Sequence, residues 1–334
     1  MRPSPRLSAI DLDPDLTGRF AASLGGLWPA AAREHDGKLA VAVSGGPDSL
    51  ALLVLAAATL PGRVEAATVD HCLRPESADE AAMVGAACAA LGVPHETLAV
   101  TVAEGNLQAE ARTARYAALA GWMERRGLAA LATAHHADDQ AETLLLRLNR
   151  ASGVAGLAGV RAAGQVPGTA LPLLRPLLGW RRAELARVVA AAGLVAVQDP
   201  SNADPRFDRA RIRTALAGAD WLDVAAIAQS AAHLAEADAA LGWATAREWA
   251  EGVKPGSLGS YTYRPSAPRA VALRVIGLLV TKLDEAEPRG SAVARLFDAL
   301  VAGQPGSIGA LVARPTAEGW NFMKAPVRRA PGAA

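Results

Sequence analysis

Cysteine, lysine and net charge are all scarce in this 334-residue chain. Its two cysteines, Cys72 and Cys88, form no Cys-x-x-Cys pair, which excludes a disulfide framework and a cysteine-built cluster site. Reduced thiols point to the cytoplasm. No uncharged apolar run reaches the ~18 residues that a membrane span needs, so no membrane partner is expected. The Ala-rich run Leu50–Leu60 is too short and reads as a core helix. The N-terminus lacks a signal-peptide pattern and carries Asp11, Asp13 and Asp15 instead. A formal net charge of +1 gives no bulk signal for nucleic acid, so any RNA contact must come from local patches. Only Lys38, Lys254, Lys282 and Lys324 are lysines among 34 basic residues. Arginine suits phosphate recognition, but a GC-rich coding composition is the simpler reading. At 51% hydrophobic and 20% charged residues the chain is globular, and it is long enough for two or three domains. No internal repeat is visible.

What is present starts with Val41-Ala42-Val43-Ser44-Gly45-Gly46-Pro47-Asp48-Ser49, followed by the apolar Leu50–Leu53. This reads as a buried strand, a tight glycine turn and a helix. Backbone N–H groups at such a helix start approach an anion closely, and the helix dipole favours negative charge there. Ser44 and Ser49 add hydroxyl donors. The loop is neither a Walker A motif nor a dinucleotide fingerprint, since Gly-Lys-Ser/Thr and Gly-x-Gly-x-x-Gly are both absent.

From there strands and helices alternate. Strands are expected at 38–43, 64–70, 95–102 and 128–134, each followed by a helix. That order predicts an α/β fold with a parallel sheet covered on both faces. Ligands in such sheets sit at the carboxyl ends of the strands. Ser44-Gly45-Gly46, Asp70-His71 and His135-His136 should therefore converge. In His135-His136-Ala137-Asp138-Asp139-Gln140-Ala141-Glu142 the carboxylates cluster at a helix start, and Asp139 and Glu142 share a face at i and i+3. They suit Mg²⁺ or a substrate ammonium. His135, His136 and Asp139 also have the chemistry of metal ligands, and acids in a first helical turn also serve the dipole. The expected organisation is an N-terminal arm at 1–35, a catalytic domain at 36–217 and a mainly helical C-terminal domain at 218–334. Trp221, Trp243 and Trp249 are expected as core anchors there, with a hairpin or small sheet at 303–323. Residues 175–213 carry eight arginines against Glu184, Asp199, Asp204 and Asp208, an excess that suits an RNA backbone.

Ser-Gly-Gly-x-Asp-Ser at 44–49 resembles the loop of the PP-loop ATP pyrophosphatases. Further motifs occur in order: Val-Asp-His-x-Leu-Arg-x-x-Ser at 69–77, Asn-Leu-Gln-Ala-x-Ala-Arg-x-x-Arg-Tyr at 106–116, and His-His-x-x-Asp-Gln-x-Glu-Thr at 135–143. Leu-Leu-Arg-Pro-Leu-Leu at 173–178 and the Asp-, Asn- and Arg-rich stretch 199–213 follow. Together they closely resemble the tRNA(Ile)-lysidine synthases. The resemblance runs from about residue 38 to 217. Ala151 and Ala210 depart from it, standing where glycine and asparagine are common.

The resemblance implies an adenine nucleotide alpha hydrolase-like domain. It implies ATP-dependent ligation of lysine to C2 of the wobble cytidine of an isoleucine tRNA with anticodon CAU, through an adenylated cytidine, with release of pyrophosphate and AMP. It assigns Ser44, Gly45, Gly46, Pro47, Asp48, Ser49, Asp70, His71, Arg112 and His135 to ATP. It assigns Asp139 and Glu142 to lysine and to catalysis together with Asp48, which also positions Mg²⁺. Arg206, Arg209, Arg211 and Arg213 are expected on the tRNA. Rival readings are another adenylating enzyme such as a tRNA thiolase, and a nonenzymatic adenine-nucleotide-binding protein. A monomer and a homodimer both remain open.

Overall fold

The computed structural model describes residues 12–28, 37–72, 77–101, 107–197, 206, 208–284 and 286–325. The motif residues Leu73–Glu76, Asn106, 199–205 and Phe207, the expected strand end at Val102 and the tail from Pro326 lie outside the described residues.

The chain divides into two compact units, Met1–Ala235 and Glu236–Ala334. In the first unit α1 (Pro14–Leu27) precedes β1 (Leu39–Ala42), α2 (Pro47–Thr59), β2 (Val64–Asp70), α3 (Ser77–Ala90), β3 (His95–Ala99), α4 (Leu107–Arg126), β4 (Ala130–Ala132) and α5 (Ala137–Leu148). A short α6 (Val154–Leu157), β5 (Ala163–Gln165), β6 (Pro172–Leu174), α7 (Arg182–Ala191) and α8 (Asp208–Ala217) follow. The six-stranded sheet has the order β3-β2-β1-β4-β6-β5. All pairs are parallel except β5 with β6. The strand order reverses direction between β1 and β4, and that point opens a crevice at their carboxyl ends.

Alternation along β1 explains the two layers. Leu39, Val41 and Val43 pack with α1, α2 and α7, while Ala40 on the opposite face joins Tyr116, Leu119 and Met123 of α4. Helix α2 is buried from Ser49 to Ala56, as its unbroken apolar run requires. Helix α1, which falls within the expected N-terminal arm, packs into this core. Asp13 caps α1 by accepting the Asp15 N–H at 3.0 Å, and Phe20, Leu24 and Trp28 bury one face at helical spacing. Burial of each contributes roughly 1.5–3 kcal/mol.

Ala151 adopts a left-handed φ of 51°, which accounts for glycine being common there in similar sequences. Ala151→Gly is expected to raise stability by up to ~1 kcal/mol, read from the urea midpoint.

The second unit begins inside α9 (Val224–Gly252), later than the break expected near residue 217. Gly218 does end α8, but a short turn does not separate compact units. Helices predominate as expected, with α10 (Arg269–Asp284) and α11 (Gly290–Val301) after α9. They accompany a five-stranded antiparallel sheet, in which two further strands join the hairpin or small sheet expected at 303–323. Its strands are β7 (Val253–Pro255), β8 (Tyr261–Tyr263), β9 (Gly306–Ile308), β10 (Leu311–Thr316) and β11 (Gly319–Lys324), in the order β7-β8-β11-β10-β9. Trp320 and Phe322 of β11 reach the core that Val275, Ile276 and Leu279 of α10 supply. The tryptophan expectation is corrected. Trp249 packs on this core, but Trp221, in the turn before α9, is 80% exposed and Trp243, on α9, is 65% exposed.

Candidate functional site

The glycine turn after β1 has the expected shape. Gly45 has a φ of 84°, and an added Cβ would stand 3.1 Å from Val197 Cγ2 and 3.3 Å from Val84 Cγ2. Its carbonyl accepts the Val197 N–H at 2.9 Å. Gly46 caps α2 and Pro47 occupies the first turn, where no N–H is needed. Ser49 braces the turn from within. Its Oγ accepts the Ser44 N–H at 3.1 Å, donates to the Gly46 carbonyl at 3.0 Å and lies 3.2 Å from Ser44 Oγ. Asp48, in the first turn, keeps Oδ1 buried without a hydrogen-bond partner.

A fully buried histidine links this loop to α5. His136 Nε2 lies 3.3 Å from Asp48 Oδ2 and 3.6 Å from Asp139 Oδ2, and Nδ1 lies 3.6 Å from Asp138 Oδ2. Burial opposes a charge on this ring, but Asp48 and Asp139 outweigh it and raise its pKa. Asp139 also accepts the His136 N–H at 3.1 Å as a cap of α5. His135 is expected on ATP, and His136 at the converging strand ends and among candidate metal ligands. The adjacent pair of imidazoles was the signal, and burial distinguishes them.

The strand ends do converge. Ser44, Gly46, Pro47, Asp48, Ser49, Asp70, His71, Arg112, His135 and Asp139 line one cleft of about 1750 Å³. Gly45 is buried in the turn and does not line the cleft. Asp70 Oδ1 accepts the Cys72 N–H at 2.8 Å, which holds its pKa low and turns the chain beside the loop. Burial, with the Arg115 charge, lowers the His71 pKa. Arg115, Arg147, Arg150 and Arg182 join Arg112, Arg206, Arg209 and Arg213 in the wall. They outnumber its carboxylates, so the cleft suits a polyanion.

Three of the expected site residues are engaged in ion pairs. Glu142 is 1% exposed, and its carboxylate is already held. Arg213 Nε reaches Oε1 at 2.9 Å and Nη2 reaches Oε2 at 3.4 Å, with Arg182 at 3.7 Å. Arg213 thus lines the cleft with its guanidinium on Glu142. Asp139, at i−3, is the carboxylate that lines the cleft. Arg211 is absent from the cleft wall, and its Nη1 lies 3.6 Å from Asp208. The pairing of Glu142 with Arg213 was not legible, because α5 and α8 lie about 70 residues apart in sequence and meet only in the fold.

The family model of the PP-loop domain matches residues 20–219. The tRNA(Ile)-lysidine synthase of Novosphingobium aromaticivorans is 48% identical over 302 residues, covering 89% of this chain and 92% of that protein. The chain belongs to the tRNA(Ile)-lysidine synthase family. The synthase of Zymomonas mobilis is 41% identical over 300 residues, covering 88% of this chain and 90% of that one. The U34-tRNA thiolase NcsA of Methanococcus maripaludis, described with its [4Fe-4S] cluster, shares the fold. Its TM-score is 0.54 at 16% identity, covering 66% of this chain and 78% of that one.

For a lysidine synthase-family site, Mg²⁺ is the implied metal, and the donors fit it. Mg²⁺ takes one or two carboxylates plus phosphate oxygens and water, and Asp48 offers a buried, unpartnered oxygen beside the phosphate loop. Among the described residues no larger His, Cys, Asp and Glu cluster forms a metal cage. No described helix is long and apolar enough to cross a membrane.

His135 carries a pH consequence. Burial pushes its pKa down to about 4 from 6.5, with Asp139 opposing and Arg175, Arg112 and Arg209 reinforcing. The unfolded chain thus binds the extra proton between those values. This contribution to stability is complete above pH ~6.5 and is lost as pH falls toward ~4. His135→Gln is expected to flatten the acid limb of stability, read from urea midpoints across that range. An unchanged limb would assign it to other groups.

Proposed function

We propose that this chain ligates lysine to C2 of the wobble cytidine of isoleucine tRNA bearing a CAU anticodon. The observation that carries the reading is one arginine-walled cleft in which a phosphate loop meets the Asp139 carboxylate. The cytosine O2 attacks the α-phosphorus of ATP and pyrophosphate leaves. The lysine amine then attacks C2, loses a proton, and AMP departs with the former O2.

The residues fit these needs. The α2 N-terminus and Ser44 receive the phosphates, while Ser49 keeps the turn in shape. Mg²⁺, held by Asp48 and phosphate oxygens, would offset the charge on departing pyrophosphate. Asp139 holds the lysine ammonium and accepts its proton. Glu142 supports this site by fixing Arg213 and Arg182. Reaching C2 requires the cytosine to leave its stack and enter the cleft. The thiolase alternative lacks support, because Cys88 is buried and Cys72 exposed, with no Cys-x-x-Cys pair.

Arg206 and Arg209 line the cleft mouth that the RNA backbone would cross. Arg209→Ala is expected to weaken tRNA binding and to lower the slope of log affinity against log salt by about 0.7–0.9. Arg211→Ala is expected to change neither. Filter binding across a salt series reads both, and equal slopes for the two variants would count against this placement.

Incubation with ATP, labelled lysine and total tRNA, followed by nucleoside analysis, tests the function. Label in a modified cytidine is expected. Unlabelled RNA from a chain that binds ATP would overturn it.

A further inference from the structure

His136 is a buried imidazole that the proposed chemistry leaves unused. It stands immediately before α5 and is fully buried, and neither ring nitrogen makes an aligned hydrogen bond among the described residues. A buried polar side chain in that state is costly and calls for a reason. The local fold does not supply one. Asp138 is held by the Arg182 N–H at 2.9 Å and by Arg181 Nε at 3.3 Å, at the start of α7. Asp139 caps α5 by accepting the backbone N–H of His136 at 3.1 Å, a donor that any residue except proline provides.

The ring bridges two elements of the cleft. Nε2 lies 3.3 Å from Asp48 Oδ2 on α2 and 3.6 Å from Asp139 Oδ2 on α5. Both aspartates line the cleft. A nitrogen that faces two carboxylate oxygens carries the hydrogen, since a lone pair there would meet two negative charges. Two carboxylates gathered around one point repel each other. A shared N–H between them offsets that repulsion and sets their separation. It also leaves Asp48 Oδ1 without a partner.

We propose that His136 is a positioning residue that couples the nucleotide and amine halves of the cleft. Its shared N–H holds Asp48 and Asp139 at one spacing. The carboxylate that serves the nucleotide's cation and the one that serves the incoming amine are thereby set relative to each other. The inference rests on the roles given above to Asp48 and Asp139, and it adds a residue that touches neither ligand.

Calorimetry on the full chain, with Mg·ATP and lysine titrated separately, tests it. His136→Asn carries an amide too short to reach Asp48. His136→Gln extends an amide N–H toward the place of Nε2. His136→Asn is expected to weaken both Mg·ATP and lysine binding about tenfold, and His136→Gln to recover part of both losses. A lower melting temperature with both affinities kept would make His136 a packing residue and overturn the coupling. Loss of one affinity alone would tie the ring to one carboxylate and overturn it too. A second measurement uses the wild type and does not depend on the folding of His136→Asn. The imidazole nitrogen resonances of His136, assigned by their absence from His136→Gln, are expected to move on adding Mg·ATP alone and on adding lysine alone. Resonances that answer to only one ligand, or to neither, would overturn the bridge. Lysidine formation by the wild type is followed in parallel. A wild type that binds Mg·ATP and lysine without forming lysidine refutes the proposed function alone, and the two affinities still read the coupling.

Discussion

Asp48→Asn is expected to slow tRNA-dependent AMP formation by about 10²–10³-fold while the fold survives. The substitution keeps the shape of the side chain and removes its charge. Two partners depend on that charge. One is the cation expected at the unpartnered Oδ1, and the other is His136, 3.3 Å from Oδ2. The affected oxygens lie on the first turn of α2, whose apolar face remains packed, so melting should change little. Ser49→Ala is the companion variant. It leaves the Ser44 N–H without its acceptor, so ATP affinity should fall through loss of loop shape. Single-turnover AMP release and thermal unfolding measure both. Near-normal turnover in Asp48→Asn would sink the metal and pyrophosphate role given to this carboxylate.

Glu142→Gln is expected to be a stability variant before it is a kinetic one. Glu142 is buried and bridges Arg213 and Arg182, which are about a third exposed, so losing its charge-assisted hydrogen bonds costs about 1.5–3 kcal/mol. For a unit of this size that lowers the melting temperature by roughly 2–4 °C per kcal/mol. Asp139→Asn should behave in the opposite way. The amide oxygen can still accept the His136 N–H, so melting holds, while the KM for lysine rises about ten- to a hundredfold with loss of a charge-assisted contact. Paired melting curves and lysine titrations separate the two. If Glu142→Gln melts normally and raises the lysine KM as much as Asp139→Asn, Glu142 binds the ammonium directly and Arg213 yields to substrate.

Both outcomes turn on what could be read along the chain. The loop at 44–49 was legible because its chemistry is local: Gly45 must reach a left-handed φ, Pro47 opens the helix, and apolar residues follow at once. Asp70, His71 and His135 were legible through one topological rule, that parallel strand ends share a crevice. The pairing of Glu142 with Arg213 was not. At i and i+3 from Asp139 it looked like a second carboxylate for the amine, and nothing in the spacing of α5 reveals what α8 brings against it. Trp221 and Trp243 misled for a related reason. Aromatic residues on an apolar helix suggest a core, but whether a neighbouring element covers that face is decided elsewhere in the chain.

The sequence by itself determined the family, the alternating α/β order, the phosphate loop and the polar strand ends. Each of these is specified by contiguous residues or by short periodic patterns. Only the tertiary structure decided which carboxylate of α5 lines the cleft, which histidine is buried between Asp48 and Asp139, and that α1 belongs to the core of the first unit. Those outcomes depend on burial and on partners far apart in sequence. Desolvation and Coulomb attraction act through space, so they take their values only once the chain has folded.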